Sequence, residues 1–400
     1  MQYDYNVWII SGEASGDMYG ARLARELQTE ASVRGKTIHM AGMGGPEMQR
    51  TDMEIIVDST ELGVVGLVEV FKHIFTFLGI FFGLVRRARR ERPDAVVLID
   101  YPGFNLRFAQ LMYWFKIPVI WYVTPQVWAW GKHRIPKLAR YCSRMMVIFP
   151  FETETYAHTR LGEHTIFTGH PLVDIINEQR DPELVRDPNI FLLLPGSRNH
   201  EVELLLDSML DTVCVLHRRH PELRFVLSTP RERICGKVTE KLVAYRHRHP
   251  ELPEIKLTLG DTRRWQQQAG TGLAASGTVT VECAISGLPL VVCYRLNKIT
   301  FWVARMLVKL FRGHFTMVNI IADKTVFEEF LQWQVGPELL VPAIEKILPG
   351  GTRREEVVED MDRVRTMLQC GSDNAGANAA RVCLDFLADR ENPKAAGPKR

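Results

Sequence analysis

None of the seven cysteines (Cys142, Cys214, Cys235, Cys283, Cys293, Cys370, Cys383) belongs to a C-x-x-C pair, which removes the usual zinc and redox motifs. Their odd, scattered placement removes a disulfide framework and suits a reducing cytosol. No uninterrupted apolar run reaches the roughly 20 residues needed to cross a bilayer core. Neither sign of charge dominates: 50 basic against 47 acidic residues leave a net charge of +3, so no overall field recruits nucleic acid. The twelve histidines form no H-E-x-x-H or paired ligand set, and no metal site is expected. Met1 to Asp4 lead directly into an apolar segment without a basic n-region or cleavage site, so nothing marks the chain for export.

What is present is an alternation of short apolar runs and helical patterns, the pattern of parallel strands joined by crossover helices. Candidate strands at 7–10, 38–42, 95–99, 119–123 and 145–149 form one series, and those at 190–194, 225–228, 255–259, 272–275 and 290–294 form a second. A chain of 400 residues, 46% hydrophobic and 24% charged, is long enough for two cores. The expected fold class is α/β, with two Rossmann-like domains over 1–170 and 187–370. A C-terminal helix over 371–390 is expected to return to an N-terminal domain, followed by a disordered tail at 391–400.

In open parallel sheets ligands bind beyond the carboxyl ends of the strands. After the first strand comes Ser-Gly-Glu-Ala-Ser-Gly-Asp at 11–17. Gly12 and Gly16 allow close backbone approach, Ser15 can cap a helix and Asp17 suits its N-terminus. Lacking the full G-x-G-x-x-G, the loop is equally compatible with a plain strand-to-helix turn. Asp100 closes the apolar strand 95–99 ahead of Asn105, the expected cap of the next helix; it suits a general base, but loop-ordering carboxylates are commoner at such places. Gly196, Ser197 and Arg198 precede an amphipathic helix, and here a phosphate site is the better reading. Ser276, Gly277 and Thr278 open another helix carrying Glu282, which is either a ribose contact or a surface residue. Asp360 and Asp362 make a D-x-D among arginines and read as a solvated helix face. His170, at the domain boundary, is positioned to line an interdomain cleft.

Residues 64–92, VVGLVEVFKHIFTFLGIFFGLVRRARRER, distinguish the chain most sharply. Glu69, Lys72 and His73 rule out a membrane span, yet the apolar arc covers well over half the helical wheel, against the roughly 100° that packing needs. Lipid is the best partner for the surplus. Phe71, Phe75, Phe77, Leu78, Phe81 and Phe82 would meet it, with Arg86 and Arg87 on anionic headgroups. A helix buried between protein layers, or a dimer contact, is the competing reading. Residues 301–311 repeat the mixture of apolar and basic residues.

These motifs together resemble the lipid-A-disaccharide synthase family, from about residue 7 to 386. The strings that carry the resemblance start at Ser11, Gly63, Tyr122, Leu194 and Ser276, in the family's usual order. The resemblance implies a GT-B fold with parallel sheets facing across a cleft. It also implies an inverting, metal-independent transfer of 2,3-diacylglucosamine from its UDP form onto 2,3-diacylglucosamine 1-phosphate, giving a β-1,6 disaccharide 1-phosphate and UDP. The setting implied is the cytoplasmic face of the inner membrane in Gram-negative bacteria, with no cofactor. Asp100 would be the base and Arg198 the essential donor-site arginine, reversing the balance at Asp100. Gly196, Ser197, Ser276, Gly277, Thr278, Glu282 and Asn319 would face the UDP donor, and Gly12, Glu13, Ser15, Asp17 and Gln126 the acylated sugar phosphate acceptor. Tyr101 and Gly103 depart from more familiar members, and the tail from Lys394 is additional, which bears on acyl or acceptor preference. A homodimer exchanging the C-terminal helix is compatible with the pattern. The alternatives are a lipid-linked muramyl N-acetylglucosaminyltransferase, a UDP-sugar 2-epimerase, against which the apolar stripe at 70–85 argues, and a non-catalytic membrane scaffold.

Overall fold

The computed structural model describes residues 3–59, 67–296 and 313–391, apart from the side chains of 67–77, 129 and 130. The chain forms two compact units, Met1–Pro171 with Leu368–Arg400, and Leu172–Met367. It therefore passes from one unit to the other twice. Residues 172–186, which the sequence left between domains, count with the second unit, where Arg186 donates to the carbonyl of Ser286 at 2.6 Å.

The first unit holds a seven-stranded parallel sheet in the order β3-β2-β1-β4-β5-β6-β7. The strands are β1 Tyr5–Ser11, β2 Ile38–Gly44, β3 Glu54–Asp58, β4 Ala95–Ile99, β5 Val119–Tyr122, β6 Arg144–Val147 and β7 Thr165–Phe167. The second unit holds six parallel strands in the order β10-β9-β8-β11-β12-β13. These are β8 Asp187–Leu194, β9 Arg224–Thr229, β10 Ile255–Leu259, β11 Ala269–Ala275, β12 Leu290–Tyr294 and β13 Glu328–Leu331. Central strands such as β4 are buried along their whole length, as continuous apolar runs covered on both faces require. The three strands that the apolar pattern did not predict, β3, β7 and β13, are all sheet edges with largely half-exposed residues.

In each sheet the strand order reverses once, between β1 and β4 and between β8 and β11. Ser11 pairs with Ile99 across the first reversal and Leu194 with Ala274 across the second. The loops leaving those four strands therefore flank the two crevices where such sheets bind ligands.

The C-terminal helix Ala375–Glu391 lies in the first unit, packed on the helix Ala14–Val33. Arg381 pairs with Glu30 at 3.1 Å and Arg34 with Asp385 at 2.7 Å. Its last residue, Glu391, accepts from the Tyr5 hydroxyl at 3.2 Å and so belongs to the helix; the rest of the tail, 392–400, lies outside the described residues.

Three expectations change with burial. Phe81 is not a membrane contact. With Leu84, Val85 and Ala88 it forms the inward stripe of the helix Leu67–Glu91, its ring 5.0 Å from Phe104. Arg87 is ion-paired at 2.7 Å with both Glu54 and Glu91, so its charge is already engaged within the chain. Asp360 is buried and bound to Lys324 at 2.6 Å, because Val357, Met361 and Val364 turn its face of the helix inward. Leu78 and Phe82 do face water, at 40% and 58% exposure, and Arg86 is exposed beside them. The side chains of Phe71, Phe75 and Phe77, and the segment 301–311, lie outside the described residues. No helix among the described residues is long and apolar enough to cross a membrane.

Candidate active site

At the first crevice, the Tyr101 ring lies directly on Gly12: a Cβ there would sit 2.3 Å from the ring. Only glycine fits under that ring. The helix of the β1 loop starts at Ala14 with the exposed Glu13 at its cap position, so Ser15 sits inside the first turn and does not cap it. Asp17 turns away from the loop. Its buried carboxylate accepts the amides of Gly45 at 2.7 Å, Glu47 at 2.9 Å and Met48 at 3.1 Å, anchoring the short helix Pro46–Gln49. With those lone pairs taken, Asp17 acts as a structural anchor, which corrects its assignment to the acceptor.

Asp100 and Tyr101, just past β4, both adopt left-handed backbone, with φ of 44° and 47°. Such conformations cost energy for residues other than glycine and gather at functional sites. The surroundings hold the kink in place. Asp100 donates its amide to the carbonyls of Tyr122 and Val123, at 3.3 and 3.2 Å. Asn105, expected to cap the next helix, instead sits inside it and bonds the carbonyls of Ile99 and Asp100 at 3.1 and 2.7 Å. Burial, reinforced by the charge of Glu13, pushes the Asp100 carboxyl up to about 6.

The corner after β5 carries the half-buried Gln126 and is gripped by a group the sequence reading passed over, the buried carboxylate of Glu152. Nothing local marks it in the sequence, where Glu152 and Glu154 follow Phe149-Pro150-Phe151 as an ordinary acidic helix start. His170 does not line a cleft. It is 3% exposed, packed against Phe149 and Tyr19 in the first unit, and burial pulls its pKa down to about 3, so it stays neutral.

In the second unit, Gly196 has φ of 116°, and a Cβ there would meet the Glu201 carboxylate at 2.4 Å. Glu201 accepts the amides of Ser197 at 2.8 Å and Arg198 at 3.2 Å, so those two N–H groups are not free for phosphate as the sequence suggested. The Arg198 guanidinium touches the other Glu201 oxygen at 3.1 Å but remains 77% exposed, and Ser197 is exposed with it. Across the strand-order reversal, Gly277 and Thr278 are exposed at the start of the helix Thr278–Ile285, with Ser276 half-buried beside them. Among the described residues, nothing beyond its chain neighbours crowds the space where a side chain at Gly277 would begin. Glu282 receives Arg263 and Gln266 at 3.3 and 3.4 Å, which ties its carboxylate to the helix Thr262–Gln268.

Asn319 requires correction. It is fully buried, accepts the amides of Val326 and Phe327 at 2.9 Å each and donates to the Phe327 carbonyl at 2.8 Å, clamping the turn before β13. Among the described residues no cluster of His, Cys, Asp or Glu could hold a metal ion.

The sequence decides between chemistries that share this architecture. Residues 7–382 match the family model described as lipid-A-disaccharide synthetase. The chain belongs to the lipid-A-disaccharide synthase family. A protein of that name from Koribacter versatilis is 37% identical over 96% of this chain and 99% of its own, and one from Trichlorobacter lovleyi is 35% identical over 95% and 97%. Among solved structures, the UDP-GlcNAc 2-epimerase of Neisseria meningitidis, crystallised with UDP-GlcNAc, superposes with a TM-score of 0.61. It covers 96% of this chain and 100% of its own at 13% identity. That likeness shows the shared GT-B-type fold of two parallel-sheet α/β domains and does not carry the epimerase alternative. By its family the chain is a glycosyltransferase of lipid A biosynthesis.

Proposed function

We propose that the chain joins 2,3-diacylglucosamine, delivered as its UDP derivative, to 2,3-diacylglucosamine 1-phosphate through a β-1,6 bond, with Asp100 as base and Arg198 on the departing diphosphate. Asp100 takes the proton of the acceptor's 6-hydroxyl as that oxygen attacks the anomeric carbon from the face opposite the diphosphate, and UDP leaves with the electrons of the broken C–O bond. The observation that carries the reading is the strained, partly buried Asp100 at the strand-order reversal, whose raised pKa suits proton abstraction near neutral pH. Ser197, Ser276, Gly277, Thr278 and Glu282 are the donor contacts in this reading, with Glu282 on the ribose; Glu13, Ser15 and Gln126 face the acceptor, and Gly12, buried under the Tyr101 ring, shapes their loop. The direct test incubates purified protein with both acylated sugars and detects the disaccharide by mass; absence of product from folded protein refutes it.

A base must be ionised to act, so turnover is expected to fall tenfold per pH unit below about 6 and to level off above it. A log kcat profile with its acid limb near pH 4 would remove burial of Asp100 from the account.

Association with an anionic membrane surface at the cytoplasmic face is part of the same proposal. Leu78, Phe82 and Trp114 are exposed, and a groove of about 550 Å³ beside them is lined by Phe82, Arg86, Arg89 and Phe115. An apolar face rimmed by arginines fits acyl chains and phosphate headgroups together. Phe82→Glu is expected to weaken flotation with phosphatidylglycerol vesicles by about tenfold or more, the worth of one buried aromatic side chain. Equal flotation of wild type and variant at low and high salt would refute this surface.

A further inference from the structure

We propose that Glu152 is a positioning residue for the reaction: its carboxylate fixes the corner after β5, and that corner holds the backbone of Asp100. The inference rests on the reading of Asp100 as the base.

Glu152 begins the helix Glu152–Tyr156 and is 1% exposed. A carboxylate so far from water is tolerated only when hydrogen bonds replace its hydration. Three donors do so, each at 3.2 Å: the Phe149 amide on one oxygen, and the Thr124 hydroxyl and Trp128 indole N–H on the other. Thr124 lies in the corner after β5, and Trp128 in the helix Val127–Trp130 into which that corner leads. The Trp128 ring also meets Phe151 edge-on at 5.0 Å, so the grip combines hydrogen bonds with packing.

The corner needs holding because it opens on Val123, a β-branched residue at φ 57°. Left-handed backbone is worst for such side chains and persists only where neighbours over-determine it. The Val123 amide donates to the Met146 carbonyl at 3.1 Å, and its own carbonyl accepts the Asp100 amide at 3.2 Å. The atom that steadies Asp100 and the hydroxyl that Glu152 grips thus sit on adjacent residues, Val123 and Thr124. From the other side Asn105 holds the Asp100 carbonyl. Releasing Thr124 and Trp128 loosens the Val123 support and leaves the Tyr122 carbonyl and Asn105, so Asp100 tilts and becomes more exposed to water.

The test follows Asp100 itself, by carbon-13 NMR titration of its carboxyl in the full-length protein, alongside turnover. Glu152→Gln is expected to move that titration about one pH unit toward the ordinary carboxylate range. Turnover is expected to fall about 10- to 100-fold at unchanged KM for the UDP-sugar, as a small misplacement of a reacting group does. Thr124→Val and Trp128→Phe remove one donor each from the opposite side, so they test the same contact should Glu152→Gln fold poorly. Both are expected to move the titration in the same direction and to combine non-additively with Glu152→Gln. An unmoved Asp100 titration in the folded variants, or activity lost only in proportion to unfolded protein, overturns the proposal. Asp100→Asn separates the two claims. If it keeps full turnover while Glu152→Gln moves the titration, the base assignment fails and the coupling stands; if it is inactive and the titration is unmoved, the coupling fails alone.

Discussion

Asp100→Asn is expected to lower turnover by about three orders of magnitude, within the range for loss of a general base, while melting no earlier than wild type above neutral pH. The two halves of that result have one cause. Burial raises the folded-state pKa of Asp100 to about 6, above its unfolded value near 3.8. The native state therefore favours the protonated form, and whatever stability this gives is present below the unfolded pKa and lost as pH rises through 6. Above that pH the wild type holds a partly buried anion, a charge that the neutral amide avoids. Asparagine also tolerates left-handed φ better than most residues, so the kink at 44° survives. UDP binding is expected to be unchanged, since Asp100 lies in the first unit and the proposed donor contacts in the second. Kinetics and calorimetry on the same preparation check both halves. Full activity, or a melting point lowered by many degrees, contradicts the assignment.

Arg198→Ala is expected to cost about 100- to 1,000-fold in kcat, as removal of a group that stabilises developing negative charge does, together with weakened UDP binding. The substitution is clean because Glu201 still accepts the backbone amides of Ser197 and residue 198, so the start of the helix Asn199–Arg219 keeps its cap. What disappears is an exposed guanidinium that meets the Glu201 carboxylate at 3.1 Å. Lysine at the same place is expected to restore part of the rate, because it returns the charge without the planar two-pronged geometry. Titration calorimetry with UDP and steady-state turnover measure the two effects; an unaffected kcat removes Arg198 from the chemistry.

The interior of both sheets was readable because buried parallel strands must be continuous apolar runs, as Ala-Val-Val-Leu-Ile at 95–99 is. β3, β7 and β13 escaped because these edge strands bury less and carry at most three apolar residues in a row. The candidate loops were readable for a topological reason, since the residues after β1, β4, β8 and β11 flank the strand-order reversals. Individual roles inside those loops were not. Asp17 and Asn319 look like ligand groups in a string of letters, yet each spends its polar atoms on backbone from elsewhere in its own unit. Phe81 and Arg87 share a helix with Leu78 and Phe82, and only the packing partners Phe104 and Glu54 separate inward from outward. Glu152 was invisible for the converse reason: its donors Thr124 and Trp128 are 28 and 24 residues earlier in the chain.

The return of the helix Ala375–Glu391 to the helix Ala14–Val33 sets an order on biosynthesis. Residues 172–367 emerge from the ribosome as one uninterrupted stretch and possess all their contacts once translated. The first unit must wait, its Ala14–Val33 flank uncovered, until residues 375–391 supply the missing piece. The exposed Leu78 and Phe82 thus belong to the unit whose packing is completed only after every residue of the second unit has been made.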